Sequence, residues 1–336
     1  MKAVGYKKAG GIDQKEALLD IEIELPVAEG YDLLVEVKAI SVNPVDYKIR
    51  QNRSSENGEW QIIGWDASGI VKAVGDKVSH FRPGDKVWYA GDLTRSGSNS
   101  QYQLVDERIV GKMPETLSFS EAAAMPLTTL TAWEMLFDRL QVEKENSNKS
   151  ILIIGAAGGV GSIMVQLIQK LTKLNLVATA SRPETRAWLE DLGVKNIINH
   201  RNKLSDEFLN KQILEVDYVV SLNRTDLHFS EIVKVIKPQG KFGLIDDPSE
   251  LDVKLLKQKS VSLHWEFMYT RSMFNTDDIL EQHNILSEVS RLIDQGVIQS
   301  TLGEHFGKIN AENLRRAHKL LESGKSKGKI ALESFE

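Results

Sequence analysis

The run ILIIGAAGGVGS at 151–162 places Gly155, Gly158 and Gly161 at intervals of three, between an apolar strand-like stretch and a helical one. That spacing suits a dinucleotide pyrophosphate. One glycine turns the chain, a second lets the backbone approach the phosphates, and a third lets helix pack closely on strand. The helix N-terminus adds N–H donors without intrahelical partners and the positive end of the helix dipole. A strict G-x-G-x-x-G would begin at Ala156, so the loop Gly155, Ala156, Ala157, Gly158, Gly159, Val160, Gly161 is a variant of the pattern. A glycine-rich turn that holds no ligand is the alternative.

An acidic residue about 20 positions after the loop normally binds the ribose 2′-hydroxyl of NAD. The second strand here runs into TASRPET, and Ser181 and Arg182 stand where that acid would be. A hydroxyl beside a guanidinium suits a 2′-phosphate through charge-assisted hydrogen bonds, which favours NADPH. The alternative for Arg182 is a solvated loop residue.

These groups need elements to hold them. Up to about residue 115 the chain reads as short β-branched runs, LLVEVKAISV, GIVKAVG and DKVWYA, broken by turn residues such as Pro83-Gly84-Asp85. SFSEAAAMPLTTLTAWEMLFDRL at 118–140 predicts a helix with a capping box at Ser118 and Glu121. Thereafter ILIIG, LVATA, NIIN, DYVVS, KFGLID and VSLHW alternate with helical patterns, one of them ending near Pro238. Continuous apolar strands between amphipathic helices predict a parallel sheet covered on both faces. Helices are predicted at 276–296 and 310–324, and the final GKIALES as a strand returning to the first domain.

The 336 residues exceed what one core normally serves, so two domains are expected. Zero cysteines exclude disulfides, thiol catalysis and every Cys-ligated zinc or iron–sulfur site. A net charge of −5 argues against a nucleic-acid partner. No run approaches the roughly 20 apolar residues of a membrane span, and the first residues lack a signal-peptide pattern, so a cytoplasmic protein with no membrane partner is expected.

ISVNPVDYKIR, GWDASGIVKAVG, RPGDKVW, AAGGVGS and TASRPETRAWLEDLG occur in this order. With SLHWEFMYTRSMF they give nearly the whole chain a resemblance to the medium-chain dehydrogenase/reductase superfamily. Within it the chain resembles the quinone oxidoreductase branch and the bacterial zinc-type alcohol dehydrogenase-like proteins. The resemblance implies an α/β fold with a GroES-like β-rich catalytic domain over 1–120, a Rossmann doubly wound parallel-sheet domain over 121–270, and a C-terminal return over 271–336. It implies NAD(P)H-dependent reduction of quinones or α,β-unsaturated carbonyls in the cleft between the domains. It also implies a homodimer built through the Rossmann sheets, with VSLHW as the candidate edge strand.

In zinc-dependent relatives a cysteine stands at the position of Asn43, a His-Glu pair at Trp65-Asp66, and a hydroxyl near Val45. A four-cysteine structural loop is replaced here by GDLTRSGSNSQY. A catalytic zinc needs about three protein ligands, so both metals are expected to be absent. The seven histidines, at 80, 200, 228, 264, 283, 305 and 318, are widely spaced and offer no ligand pair.

Hydride transfer without metal requires nicotinamide C4 against an electron-poor carbon, with hydrogen-bond donors for the charge that develops on oxygen. Asn43 is the first candidate, its amide bonding substrate oxygen or nicotinamide ribose. Asp46 orients its loop rather than transferring protons, and Tyr47 offers a phenol, although relatives place tyrosine where Lys48 stands. The proton donor is left open.

For the cofactor, Thr131 in PLTTLTAW is carried over as a contact, with helix packing as the alternative, and His200 as the counterpart of a tyrosine that reaches the cofactor phosphate. Leu244 and Ile245 end a strand at the ligand edge of the sheet. Trp65, Trp265, Phe267 and Tyr269 are candidates for a flat pocket, or core. The leading expectation is a zinc-independent NADPH-dependent reductase acting on a small electron-poor acceptor. A zinc-type alcohol dehydrogenase with unusual ligands and a non-catalytic NADPH-binding regulatory protein stay open as alternatives.

Overall fold

The computed structural model describes residues 1–335. The chain forms two compact units, one from Met1–Leu130 with the segment from Tyr269 onward, the other from Thr131–Met268.

The first segment contains β1 (Lys2–Gly5), β2 (Leu19–Glu22), β3 (Asp32–Val42), α1 (Pro44–Asn52), β4 (Asp66–Val74), β5 (Lys86–Tyr89), β6 (Tyr102–Asp106), β7 (Val110–Lys112), α2 (Phe119–Ala123) and α3 (Pro126–Trp133). The helix expected over 118–140 is therefore broken. Ser118 and Glu121 form the predicted capping box on α2. Pro126, which has no N–H and disfavours helix in the residue before it, then starts α3 afresh. A π-helical stretch, Glu134–Arg139, follows. The units divide within α3, between Leu130 and Thr131, and again between Met268 and Tyr269.

The second unit contains β8 (Ser150–Ile154), α4 (Gly159–Leu171), β9 (Asn175–Thr179), α5 (Pro183–Asp191), β10 (Ile197–Ile198), α6 (Leu204–Asn210), β11 (Val216–Ser221), α7 (Thr225–Val235), β12 (Ile236–Leu244) and β13 (Ser262–Trp265). All pairings are parallel, in the order β10-β9-β8-β11-β12-β13. The strand order reverses between β8 and β11, the switch point at which such sheets bind ligands. Apolar strands buried on both faces carry this unit, with Leu152, Ile154, Val177, Val219 and Phe242 in one core. The helix before Pro238 stops at Val235, and Pro238 lies within β12. The register shift between Val216 and Tyr218 accommodates it, since proline cannot donate to a ladder.

The last segment returns to the first unit through α8 (Thr270–Phe274), α9 (Glu281–Asp294), β14 (Leu302–His305), α10 (Ala311–Glu322) and β15 (Lys329–Glu333). The expected helix at 276–296 starts only at Glu281. GKIALES is a strand, as expected. β15 pairs antiparallel with β3, extending the sheet β14-β15-β3-β4-β5-β7. This pairing sets Ile330 opposite Val42, at the entrance to α1.

Candidate active site

The three glycines of the loop have different tasks. Gly155 has φ +82°, a left-handed conformation that turns the chain off β8. At Gly161 an added Cβ would sit 2.3 Å from the Ala156 carbonyl oxygen, so only glycine lets α4 approach the loop. Gly158 is different: a Cβ there would meet nothing nearer than the Gly155 oxygen at 3.4 Å. Packing within the chain does not demand glycine at 158, whereas a pyrophosphate against the backbone would. Gly158 is also the N-cap of α4 and offers no side-chain cap to the first-turn N–H groups. The loop therefore fits a dinucleotide phosphate.

Next to it, the Gly155 N–H donates to Thr179 Oγ1 at 3.1 Å, and Thr179 Oγ1 lies 3.0 Å from His200 Nδ1. The structure thereby links the loop to His200, two residues past the end of β10. The His200 ring meets His228 edge-on at 5.7 Å between centroids. Burial, followed by His228, Arg201 and Arg182, pushes His200 down to about 4, so the ring is neutral. Arg182 caps α5, and its Nε lies 3.0 Å from Glu184 Oε1, an ion pair that a 2′-phosphate would have to share. Ser181 is half-buried beside it. Leu244 closes β12, and the Ile245 N–H donates to Ser221 O at 3.4 Å, at the end of the neighbouring strand β11. Thr131 is buried within α3. Thr179 and His228 were not singled out in the sequence, because a strand-end threonine and a helical histidine carry no pattern of their own.

In the first unit, Asn43 ends β3 and begins α1. Its N–H donates to Asp46 Oδ2 at 2.8 Å, closing the first turn. The Asn43 amide is fully engaged: Nδ2 donates to Asp66 Oδ2 at 2.8 Å, and Oδ1 accepts from Lys329 Nζ at 2.5 Å. Lys329 Nζ also donates to Asp66 Oδ2 at 2.8 Å and to Val42 O at 3.1 Å. The second Asp66 oxygen accepts the Leu127 N–H at 2.7 Å, doing for α3 what a cap residue would do. Lys329 and Asp66 side chains are 4% and 0% exposed, so this is a buried ion pair.

Asn43, expected to bond the substrate, is thus spoken for inside the chain, and Asp46 is buried beside it. Tyr47 is half-buried. Trp65 and Tyr269 are buried edge-to-face at 6.3 Å, while Trp265 and Phe267 are half exposed. Lys329 was missed in the sequence; the available signal was a lysine opening the apolar run of β15.

Residues 29–130 match the alcohol dehydrogenase GroES-like domain, and residues 192–332 the zinc-binding dehydrogenase domain. A zinc-type alcohol dehydrogenase-like protein of Staphylococcus aureus is 40% identical over 99% of both chains. The chain belongs to the medium-chain dehydrogenase/reductase superfamily. Among solved structures of the superfamily, a putative zinc-dependent alcohol dehydrogenase from Rhizobium etli is 51% identical, covers 100% of this chain and 98% of its own, and superposes with a TM-score of 0.97. The Escherichia coli quinone oxidoreductase complexed with NADPH is 25% identical over 99% of this chain and all of its own, with a TM-score of 0.82.

Several of these superfamily relatives carry zinc in their names, so the donor set here is the relevant test. Among the described residues no three His, Cys, Asp or Glu come together as a metal-binding group. The oxygens that face inward, Asn43 Oδ1 and Asp66 Oδ2, are both taken by the Lys329 ammonium. Trp65 offers only its indole N–H, donated to Asp92 O at 2.9 Å. These residues do not fit a tetrahedral zinc. Among the described residues no helix is long and apolar enough to cross a membrane.

Proposed function

We propose that this superfamily member is a zinc-independent, NADPH-dependent reductase of small electron-poor acceptors, quinones or α,β-unsaturated carbonyls. The observation that supports the reading is the Lys329–Asp66–Asn43 cluster, an internal cation at the positions where the resemblance puts the ligands of zinc-dependent relatives. Without a Lewis acid, a simple ketone is poorly polarised, whereas a quinone or enone is already activated by conjugation.

Bound NADPH supplies the hydride. In this reading Gly155 to Gly161 and the α4 N-terminus hold the pyrophosphate, Ser181 and Arg182 take the 2′-phosphate, His200 reaches a cofactor phosphate, and Thr131, Leu244 and Ile245 border the nicotinamide. Asn43 and Asp46 fix the start of α1, and Tyr47, half-buried on its first turn, is the side chain of the three that can donate to a substrate oxygen. A second copy would pair along β13, which ends the sheet and carries the half-exposed Trp265.

The NADPH choice is tested by Arg182→Asp with both cofactors titrated by fluorescence. NADPH affinity should fall at least about tenfold more than NADH affinity, because a charge-assisted contact becomes a repulsion. Equal losses would remove the 2′-phosphate argument.

A further inference from the structure

The two buried carboxyl groups beside Lys329 are not equivalent. Asp66 accepts from an ammonium, an amide and a backbone N–H, so both of its oxygens have partners. Asp46 accepts one hydrogen bond, from Asn43 N to Oδ2, while its Oδ1 is buried and has no hydrogen-bond partner. A charged carboxylate with one bare, desolvated oxygen is far costlier than a neutral carboxyl group. The charge count agrees. Lys329 neutralises Asp66, so an ionised Asp46 would leave a net negative charge in the interior. Protonation removes it.

We propose that burial keeps Asp46 as the neutral acid beside the Lys329–Asp66 pair, with its hydroxyl on the bare Oδ1, and that it is the proton store for the reduced acceptor. The second half rests on the reductase reading above. The groups that act on Asp46 are Lys329 from β15, Asp66 from β4 and the Asn43 N–H at the head of α1. The buried Tyr269 phenol is in turn raised by the charges of Asp46, Asp66 and Asp92, after its own burial. Burial first, opposed by the Asn43 hydrogen bond and Lys329 and reinforced by Asp66, pushes Asp46 up to about 7.

The step balances. The acceptor takes the hydride, two electrons and one proton's worth of hydrogen, and the dihydronicotinamide is oxidised. The acceptor's oxygen then carries the negative charge. The Asp46 O–H bond breaks, its proton neutralises that charge, the electron pair stays on the carboxylate, and solvent restores the proton after product leaves. Because Asp46 is buried and its Oδ1 has no partner, the proton leaves only when a hydroxyl or water comes to Oδ1, and Asp46 stores the proton rather than touching substrate.

The test uses Asp46→Asn, which keeps an oxygen for the Asn43 N–H and imitates the neutral acid. Unfolding of wild type and variant is followed from about pH 4 to pH 8, and their unfolding constants are compared. The ratio should change about tenfold per pH unit up to about 7, wild type losing ground as pH rises, and then level off. Groups shared by both proteins cancel. A flat ratio overturns the proposal.

Independently of any variant, the infrared spectrum of wild type should show a buried protonated carboxyl band that disappears above about pH 8; its absence at neutral pH also overturns the proposal. In single turnover with NADPH and a quinone, the wild-type rate should fall about tenfold per unit above about pH 7, and the variant should be slow without that limb. A limb unchanged in the variant overturns the proton-store role. Should wild type show the stability ratio yet reduce no acceptor, the reductase reading fails and the neutral acid stands.

Discussion

Replacing Lys329 with methionine keeps most of the side chain's length and removes its charge. The structure gives the lost contacts: Asp66 Oδ2 at 2.8 Å, Asn43 Oδ1 at 2.5 Å and Val42 O at 3.1 Å. Asp66 would keep two donors but lose its cation in a place with no solvent access. Breaking a buried pair on one side costs about 3–5 kcal/mol, because the remaining charge is left uncompensated. We therefore expect Lys329→Met to destabilise the first unit by about 4 kcal/mol. Adding Asp66→Asn removes the stranded charge while leaving an oxygen for Leu127 N–H, and should recover at least about 2 kcal/mol. The assay is denaturant unfolding followed by tryptophan fluorescence, since Trp65 and Trp88 are buried in that unit. A loss under about 1 kcal/mol, or a double variant as unstable as the sum of the singles, would refute the description of Lys329 as the cation of a buried pair.

Two glycine variants separate packing from ligand binding. Gly161→Ala would force Cβ to within 2.3 Å of the Ala156 oxygen and should lower stability by about 2 kcal/mol or more. Gly158→Ala should fold with near wild-type thermal stability yet lose at least about tenfold in NADPH affinity; unchanged affinity would contradict the task assigned to Gly158. A third prediction concerns acid. Complete burial, followed by the charge of the Arg50 guanidinium, whose Nε lies 3.4 Å from Nδ1, pushes the His318 imidazole down to about 3. Its folded value lies below the ordinary one, so its stabilisation is complete above about pH 6.5 and is lost as pH falls toward 3. Asp46 acts with the opposite sign over an overlapping range, and the two partly cancel. His318→Gln should uncover a stability that rises toward acid, seen in denaturant titrations at several pH values; a profile parallel to wild type would contradict it.

How much of this was legible beforehand differs between the units. In the second unit the strand runs and the glycine loop are local patterns, and β8, α4 and β9 lie close to where ILIIG, GVGSIMVQLIQKLTK and LVATA put them. The loop after β9 gave Arg182 by its position, but not its ion pair with Glu184. In the first unit the decisive contacts are remote. Asp66 and Lys329 are 263 residues apart and meet only because β15 pairs with β3, which in turn pairs with β4. No periodicity encodes that meeting. The Asn43 amide, expected to bond substrate oxygen or nicotinamide ribose, turns inward to Asp66, and helix α1 closes on the Asn43–Asp46 pair. Pro126 splits the helix expected over 118–140 although the apolar pattern runs on through both halves.

The central claim, hydride transfer to an electron-poor carbon without zinc, is met most directly by isotope tracing. Chelator-treated protein, shown to be free of zinc, would be given NADPH deuterated at C4 on either face together with an enone, and the product analysed by mass spectrometry and NMR. The account predicts deuterium at the β-carbon from one face only, at a rate unaffected by chelation or by added zinc. Product without label, or turnover that appears only when zinc is restored, would contradict it.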